Sequence, residues 1–458
     1  MGGRGKVTRR DLVPLGDAVR AWFLISLQTF GGPAGQIAVM HRALVEQQRW
    51  IGEKRFLHAL NYCMILPGPE AQQLAVYIGW LLNGTLGGVV AGGLFVLPGG
   101  VAMLVLSSIY VAYGTTSIVT AVFSGLAPAV LAIVAQAVVR VGKRAVHRPV
   151  SVVVAVAAFA ALAVFAVPFP LVILASGLVG WVAGRGTSRS TAVSAPASRS
   201  EPDQTALIPD VALHSERPSG RRTVKVLFWG LIVWFTPVAV VVLTTGGGST
   251  LTTQGLFFSG TAVVTFGGAY AVLAFVAERA VNVFHWLAPG EMVRGLALAE
   301  STPGPLIMVV QFVAFVGAYR NPGDLDPWVA AFIGALLTTW VTFVPSFLFI
   351  FLGAPYVERL RGNASISAAL SGVTAAVVGV IANLALFFAL HTLFTESRRY
   401  SSGVLRIDLP VLSSLDGQAV IIALIAAGLI FRLKWSVLRT IGACAAIGVA
   451  LSVAPLPL

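Results

Sequence analysis

The sequence TFGGPAG at residues 29–35 returns, with three changes, as TFGGAYA at residues 265–271. A second motif, PGP, occupies residues 67–69 and again residues 303–305, so both pairs are separated by 236 positions. Over the 41 positions that the two motifs bracket in each copy, eleven residues are identical, and seven of the eleven fall in the motifs themselves. Generic similarity between apolar segments would scatter its matches over Leu, Val and Ala. We therefore infer that the chain contains a duplicated unit.

The composition is that of a helical membrane protein. Hydrophobic residues make up 57% of the chain and charged residues 11%, and the mean hydropathy is +0.86, values outside the range of soluble domains. Apolar runs of about 20 residues, the length that spans a bilayer core, recur at 86–112, 116–139, 149–166, 226–243, 328–352 and 364–390. These runs are continuous and do not alternate with period two, which argues against a transmembrane β-barrel.

The distribution of charged residues indicates where the chain divides into domains and how it is oriented in the membrane. The net charge of +13 comes from basic residues that flank the apolar runs, so it indicates membrane topology, and no nucleic-acid partner is expected. Residues 185–225 are rich in Ser, Pro and charge, which is typical of a flexible hydrophilic linker. The predicted organisation is a membrane repeat over 1–184, a cytoplasmic linker over 185–225 and a second membrane repeat over 226–458, with the N-terminus also cytoplasmic.

Basic residues cluster at the N-terminus and in 42–55, 140–148 and 185–225, and these segments predict how the repeats are oriented. If all of them lie on one side, the span 226–243 carries the chain across the membrane before the second unit begins. We therefore expect an all-α, polytopic transmembrane bundle of two inverted-topology repeats. The motif-bearing segments either cross as broken helices or turn back as re-entrant ones, and the topology is satisfied both ways. Inverted repeats with interrupted helices are typical of secondary transporters, which bind substrate near the midplane.

The glycine and proline interruptions predict the substrate site. Irregular backbone at membrane depth is tolerated only where protein or a wet cavity satisfies its polar groups. Proline suits the start of a new helix, and several helix N-termini that converge on one point bind anions. The alternative is that the motifs are ordinary kinks, but their duplication at constant spacing favours a site. The predicted site residues are Gly31, Gly32, Pro33, Gly35, Gln36, Pro67, Gly68, Pro69, Glu70, Gln72, Gln73, Gly267, Gly268, Thr302, Pro303, Gly304 and Pro305.

Two acidic residues flank the PGP motifs. Glu70 follows the first motif and Glu300 precedes the second. Because a carboxylate inside a membrane is costly and by default functional, each is a candidate for coupling transport to protons. Glu70 has an alternative role as a residue that neutralises a helix N-terminus.

The motifs resemble those of the chromate ion transporter family, in its long-chain two-domain form. The first half carries FGGPAGQIAVMHRALVEQQRWI, LPGPEAQQLAVYIGW and FVLPG, and the second half carries FGGAYAVLAFV, STPGP and FVPSFLFI. The resemblance implies a protein of the bacterial inner membrane that exports chromate and confers chromate resistance, with sulfate as an exchanged or competing anion. One departure is Ala269, where the first half has a proline, and this weakens a strictly symmetric role for the two GG motifs. The expected partners are chromate or sulfate, the lipid bilayer and a second copy in a homodimer.

Other functional classes find less support in the sequence. The phosphate-binding motif G-x-x-x-x-G-K-[ST] of ATP-driven pumps is absent from the chain, and so is the H-E-x-x-H pattern of a metalloenzyme. We therefore predict no catalytic residue, no metal site and no cofactor. A sulfate or other oxyanion transporter and an anion channel, whose filters also use helix breaks, stay open as alternatives.

Overall fold

The structure is a computed structural model that describes residues 12–186, 207–208, 213–214, 218–266, 268–288, 290–356, 364–402 and 405–453. Within these ranges the chain is almost entirely helical, and its only sheet is one antiparallel hairpin. Five of the described helices are long and apolar enough to cross a membrane. The all-α, multi-pass membrane fold expected from the composition is confirmed.

The described helices and strands fall into two groups, one for each half of the chain. The first half consists of α1 (Leu15–Ser26), α2 (Gly32–His41, extended by a π-helical turn at Arg42–Gln47), α3 (Glu53–Cys63), α4 (Glu70–Tyr113), α5 (Ser117–Ala145), α6 (Pro149–Ala163) and α7 (Phe169–Gly186). Helix α8 (Gly220–Thr245) leads to α9 (Thr250–Val264), α10 (Ala269–Glu278, with a π-helical turn at Arg279–Val283), α11 (Glu291–Ser301), a 3-10 turn (Leu306–Met308), α12 (Val309–Arg320) and α13 (Pro327–Gly353, followed by a 3-10 turn at Ala354–Tyr356). The chain ends with α14 (Ala364–Leu393), β1 (Ser397–Ser402), β2 (Leu405–Pro410), a 3-10 turn (Leu412–Ser414), α15 (Gly417–Ala427, with a π-helical turn at Gly428–Arg432) and α16 (Val437–Val453).

Each apolar run predicted as a span lies on one helix, and local signals explain where several helices begin. Pro149 and Pro327 occupy the first positions of α6 and α13, where the missing proline N–H leaves nothing unpaired. The Asp326 carboxylate caps α13 by accepting from the amide of Trp328 at 2.9 Å. Helix α8 starts at Gly220, which lies inside the segment predicted to be linker, so helical structure begins earlier than its composition indicates.

Helix α4 is two antiparallel arms joined by a sharp turn. The backbone is non-helical at Asn83 (φ −132°) and Gly84 (φ 64°), and the arms span residues 70–82 and 85–113. They pack so closely that a methyl group on Gly79 would collide with the carbonyl of Gly87. Only the second arm therefore has the length of a membrane span, about 40 Å at 1.5 Å per residue.

In the first half, the motif-bearing segments turn back on themselves. The side-chain amide of Asn83 donates to the Val13 carbonyl at 2.6 Å, which places the start of α1 beside the turn of α4. Across the PGP loop, the rings of Tyr62 and Tyr77 lie 4.9 Å apart. Linker residues cover the same end of the bundle, where the backbone amide of His214 donates to the Leu81 carbonyl at 2.7 Å. We call this end, with the turn of α4, the linker face.

The second half enters from the other end of α4, which we call the opposite face. There Tyr110, near the end of α4, donates to Glu291 at the start of α11 at 2.6 Å. Arg320, at the end of α12, binds the same carboxylate at 2.6 Å. Gln254 of α9 donates to the Ala314 carbonyl of α12 at 3.0 Å. The helix pairs α9–α10 and α11–α12 therefore start and finish near this face.

The long helices of the two halves are interlocked. Helix α5 of the first half packs on α15 and α16 of the second, and α14 of the second half packs on α6 and α7 of the first. Glycines make both contacts close, because a methyl group on Gly125 would collide with the Cys444 carbonyl, and one on Gly372 with the Ser176 carbonyl. Each half therefore completes the packing of the other.

Candidate functional site

The four predicted interruptions are loops with left-handed glycines. Gly31 (φ 80°), Gly68 (φ 122°), Gly268 (φ 98°) and Gly304 (φ 101°) all have positive φ, a conformation that a Cβ atom disfavours. A new helical segment begins directly after each loop: α2, α4, α10 and the 3-10 turn that leads into α12. Each loop therefore ends at a helix N-terminus, where backbone amides lack intrahelical partners.

The loops dock on each other across the two halves. The amide of Gly68, in the first PGP loop, donates to the carbonyl of Thr265 at 2.7 Å. In return, the amide of Gly304, in the second PGP loop, donates to the carbonyl of Thr29 at 3.0 Å. The two bonds join equivalent positions of the repeat. Each PGP loop is thus held by the threonine of the TFGG motif of the other half.

The joined loops lie halfway along the long helices. A methyl group on Gly304 would lie 3.2 Å from the Cα atom of Gly99, in the middle of the second arm of α4. One on Gly68 would lie 2.7 Å from the hydroxyl of Ser346, at the equivalent point of α13. The interruptions are therefore gathered inside the bundle and are not scattered over its perimeter.

Glutamine side chains form hydrogen bonds to the backbone of the PGP loops. Gln36 donates to the Gly304 carbonyl at 2.5 Å and Gln73 to the Pro67 carbonyl at 2.6 Å. Gln72 is fully buried, and among the described residues neither atom of its amide group has a hydrogen-bond partner. The hydroxyl of Ser346 and the side-chain amide oxygen of Gln311 are likewise buried without a partner in the described part of the chain. Buried polar atoms of this kind call for a ligand, water or ion.

Two carboxylates lie at the loops. Glu300, which is 2% exposed, accepts a hydrogen bond from Tyr270 and interacts electrostatically with Arg140. Glu70, half-buried in the first turn of α4, interacts electrostatically with Arg144. The sequence indicated both glutamates but missed Tyr270 and Arg140, since Tyr270 follows a glycine motif and Arg140 belongs to a basic turn that topology alone explains.

The remaining predicted residues fall on the same loops. Pro33 is the second residue of α2, Pro69 immediately precedes α4, and Pro305 precedes the 3-10 turn. Thr302 donates to the Ala299 carbonyl at 3.0 Å and so closes the end of α11. The structure therefore brings together Gly31, Gly32, Pro33, Gly35, Gln36, Pro67, Gly68, Pro69, Glu70, Gln72, Gln73, Gly268, Thr302, Pro303, Gly304 and Pro305, whereas Gly267 lies outside the described residues.

A large apolar groove lies outside the loops. It encloses about 1040 Å³ between α4, α8 and α13 and is lined by residues such as Val96, Trp229 and Phe343. Its lining also includes Gln311 and Gly100. Because its walls are almost entirely apolar, it does not suit an oxyanion. The loops, with their backbone amides and glutamine side chains, have the polar groups that anion binding needs.

Comparison with known proteins agrees with the motif resemblance. A family model described as "Chromate transporter" matches residues 16–181 and 252–449. A chromate transport protein of Pseudomonas aeruginosa is 34% identical over 362 residues, covering 78% of this chain and 76% of that protein. One of Cupriavidus metallidurans is 28% identical over 368 residues, covering 79% of each. A probable chromate transport protein of Synechococcus elongatus is 28% identical over 354 residues, covering 77% of this chain and 79% of its own length.

No solved structure matches the chain. The family model nevertheless covers most of both halves and leaves out the segment between them. The relatives extend over more than three quarters of the chain. This chain belongs to the chromate transporter family.

Proposed function

We propose that the protein is a secondary active transporter that exports chromate, a tetrahedral oxyanion, across the bacterial inner membrane and so confers chromate resistance. Membership of the chromate transporter family supports the cargo. The observation that carries the proposal is the reciprocal docking of the PGP loops, Gly68 on Thr265 and Gly304 on Thr29. Each docking brings two loops that end at helix N-termini together inside the bundle, which supports an anion site.

Two inverted repeats, 1–184 and 226–458, joined by the linker 185–225, are part of the proposal. The contacts that support it are those of the first-half motif-bearing segments at the linker face and of the second-half motif-bearing segments at the opposite face. In this arrangement the basic segments 140–148 and 432–439 belong at the linker face. By the positive-inside rule this face, with the linker and the N-terminus, is cytoplasmic.

Exchange against sulfate or protons is the proposed energy source. Glu70 and Glu300 are the groups that would carry a proton, since both lie at the loops and Glu300 is buried. A dianion beside an ionised carboxylate is repelled, so the protonation state of these residues bears on substrate binding. Assembly into a homodimer stays a prediction.

Uptake of chromate into everted membrane vesicles tests the function. We expect saturable uptake that sulfate inhibits and that preloaded sulfate accelerates, compared with vesicles that lack the protein. Replacement Glu70→Gln or Glu300→Gln, with and without an ionophore that collapses the proton gradient, shows which glutamate couples transport to protons. Current that rises linearly with chromate concentration and shows no counter-transport would instead identify an anion channel. Uptake of sulfate alone would identify a transporter for another oxyanion.

A further inference from the structure

Helix α13 carries three buried hydroxyl groups on one face. Thr338, Thr342 and Ser346 are spaced four residues apart, so they follow each other along the helix at intervals of about 6 Å. They are 0%, 3% and 1% exposed, and none of the three hydroxyl groups has a hydrogen-bond partner among the described residues. Thr339 differs, because its hydroxyl donates to the Ala335 carbonyl at 2.8 Å. We call Thr338, Thr342 and Ser346 the hydroxyl row.

One end of the hydroxyl row lies at the first PGP loop. A methyl group on Gly68 would lie 2.7 Å from the hydroxyl oxygen of Ser346 and 2.7 Å from the side-chain nitrogen of Gln73, so two polar side chains converge on this glycine. Helix α4 begins just beyond the loop, and the first amides of a helix lack intrahelical partners. Gln72, in the first turn of α4, adds a buried amide group without a partner in the described part of the chain. Donors suited to an anion therefore meet at this end.

The first half has no hydroxyl groups at the equivalent positions. When the prolines of FVLPG (95–99) and FVPSFLFI (343–350) are aligned, Gly99 takes the place of Ser346, and Phe95 and Ala91 take the places of the two threonines. Gly99 lies against the second PGP loop, where a methyl group on Gly304 would come within 3.2 Å of its Cα atom. The two junctions between a PGP loop and a long helix are thus alike in position and different in chemistry.

The hydroxyl row extends from the loop toward the opposite face. Helix α13 begins shortly after Arg320, which lies at that face, so Thr338 is nearer to it than Ser346 is. One turn beyond Thr338, a methyl group on Gly334 would lie 2.6 Å from the side-chain amide oxygen of Gln254, which is also buried without a partner among the described residues. Unpartnered polar atoms therefore continue along the helix, and the close packing of α9 closes the row at this end.

We propose that the hydroxyl row is the substrate-binding face of α13: Ser346 donates a hydrogen bond to a tetrahedral dianion held at the first PGP loop, and Thr342 and Thr338 line its path toward the opposite face. The proposal rests on the function proposed above and names residues of its substrate path. A hydroxyl group can rotate its hydrogen toward an oxyanion and so replaces part of the water that the anion loses. Passage beyond Thr338 requires α9 to separate from α13, as alternating access does.

Binding of sulfate and of chromate to the purified full-length protein tests the role of Ser346. We expect Ser346→Ala to weaken the binding of both anions by about tenfold or more, the effect of losing a hydrogen bond to a charged group. Without anion, the variant should melt no lower than the wild-type protein, because the hydroxyl has no partner to lose in the described part of the chain. A bound anion stabilises the folded protein, so a fixed sulfate concentration should raise the melting temperature of Ser346→Ala by less than that of the wild-type protein.

Chromate uptake into everted vesicles tests the path. A double variant, Thr338→Val with Thr342→Val, keeps the shape of both side chains and removes their hydroxyl groups. We expect it to transport chromate about tenfold more slowly than the wild-type protein at matched amounts, since the moving anion loses two hydrogen-bond donors. Thr339→Val is the control, because the Thr339 hydroxyl is bound within its own helix, and both its affinity and its uptake should stay close to those of the wild-type protein.

Each outcome decides the proposal. Unchanged affinity of Ser346→Ala for both anions contradicts it, and so does unchanged uptake by the double variant. If Ser346→Ala melts lower than the wild-type protein in the absence of anion, the hydroxyl supports the fold and the proposal is wrong. If the wild-type protein itself neither binds nor transports chromate or sulfate, the proposed function fails before any variant is compared.

Discussion

At the residue scale, the arrangement of the site depends on Gly68 and Gly304. Both have a left-handed backbone, which costs any residue with a Cβ atom about 1–2 kcal/mol. Both also touch a neighbour across the halves. A methyl group on Gly68 would lie 2.7 Å from Ser346 and 2.7 Å from the amide nitrogen of Gln73, and one on Gly304 would lie 3.2 Å from Gly99. The loops therefore have no room for a side chain.

Replacing either glycine by alanine should disrupt transport. We expect Gly68→Ala and Gly304→Ala to lose most chromate transport and to lower the free energy of unfolding by about 1–3 kcal/mol, because strain is added to a closed contact. Chromate uptake into everted vesicles and melting in detergent measure the two effects. Gly93→Ala is the control, since Gly93 is helical and a methyl group there meets no atom within 4 Å. Full activity of Gly68→Ala would show that the loop tolerates a different conformation.

The sequence predicts which residues form the loops but not which residues hold them. Gln36 was expected to face an anion, yet its amide donates to the Gly304 carbonyl, 268 positions along the chain, and no local pattern reveals such a pairing. The helix ends at Arg49, Ala166, His285 and Lys434 were also not predicted. All four have φ near +50°, a conformation that sequence rules expect at glycine or asparagine.

At the scale of the elements, close glycine contacts hold the interlocked helices together. Gly448 of α16 lies against the carbonyl of Ala121 and the backbone of Gly125 of α5, where a methyl group would approach within 2.5 Å of the carbonyl oxygen. Gly442, on the same helix, has no atom within 4 Å of such a methyl group. The two positions therefore differ in packing although both are helical glycines.

Alanine at these two positions should have opposite effects. Alanine is better than glycine in a helix by about 1 kcal/mol, so Gly442→Ala should leave the melting temperature unchanged or raise it. Gly448→Ala should lower it, because the added methyl group forces α5 and α16 apart. Melting of both variants in detergent makes the comparison. Equal stabilisation by both substitutions would mean that the two helices are free to separate.

An ion pair between the buried Glu291 and the exposed Arg320 joins α11 and α12 at the opposite face, where Tyr110 of α4 also binds Glu291. Burial alone would raise the pKa of Glu291, but hydrogen bonds from Arg320, Tyr110 and the Ala288 amide outweigh it and hold the pKa below its ordinary value. A depressed pKa means that the ionised carboxylate stabilises the fold above its ordinary pKa, and that this stability is lost as the pH falls through the folded value. The pair therefore contributes fully at neutral pH.

Glu291→Gln should lower the free energy of unfolding at neutral pH by about 1–3 kcal/mol, since it removes the charge that Arg320 and Tyr110 bind. The difference from the wild-type protein should shrink below about pH 4. Glu278→Gln is the control, because Glu278 forms an exposed pair with Arg279 at 3.7 Å, and such pairs contribute little. Denaturant unfolding at the two pH values measures both variants. A difference that does not depend on pH would point to lost packing.

The helices could be predicted from the sequence, but which segments cross the membrane and which helices pack together could not. Hydropathy placed the long spans correctly because apolar runs of about 20 residues match the thickness of the bilayer core. The motif-bearing segments could equally cross or turn back, since both satisfy the distribution of basic residues. Contacts between distant residues resolve this choice, such as the rings of Tyr62 and Tyr77 on either side of the first PGP loop. The exchange of α5 and α14 between the halves is likewise invisible to periodicity.

At the scale of the whole molecule, the repeats should be exposed on opposite sides of the membrane. Arg148 directly precedes α6, and Leu412 lies shortly before α15, the helix that occupies the equivalent place in the second half. Both residues are exposed, Leu412 to 80%. Parallel repeats would put the two on the same side, and inverted repeats would put them on different sides.

Cysteine labelling in intact cells decides between these arrangements. With Cys63 and Cys444, both buried, replaced by alanine, we expect Leu412→Cys to react with a membrane-impermeant maleimide added outside the cells. Arg148→Cys should react only after the membrane is permeabilised, because its basic turn belongs on the cytoplasmic side. Chromate transport by each variant shows that it is folded, and labelling in permeabilised cells shows that each cysteine is accessible. If both cysteines reacted from the same side, the loops of the two halves would enter from one face, and a site shared at the centre would lose its basis.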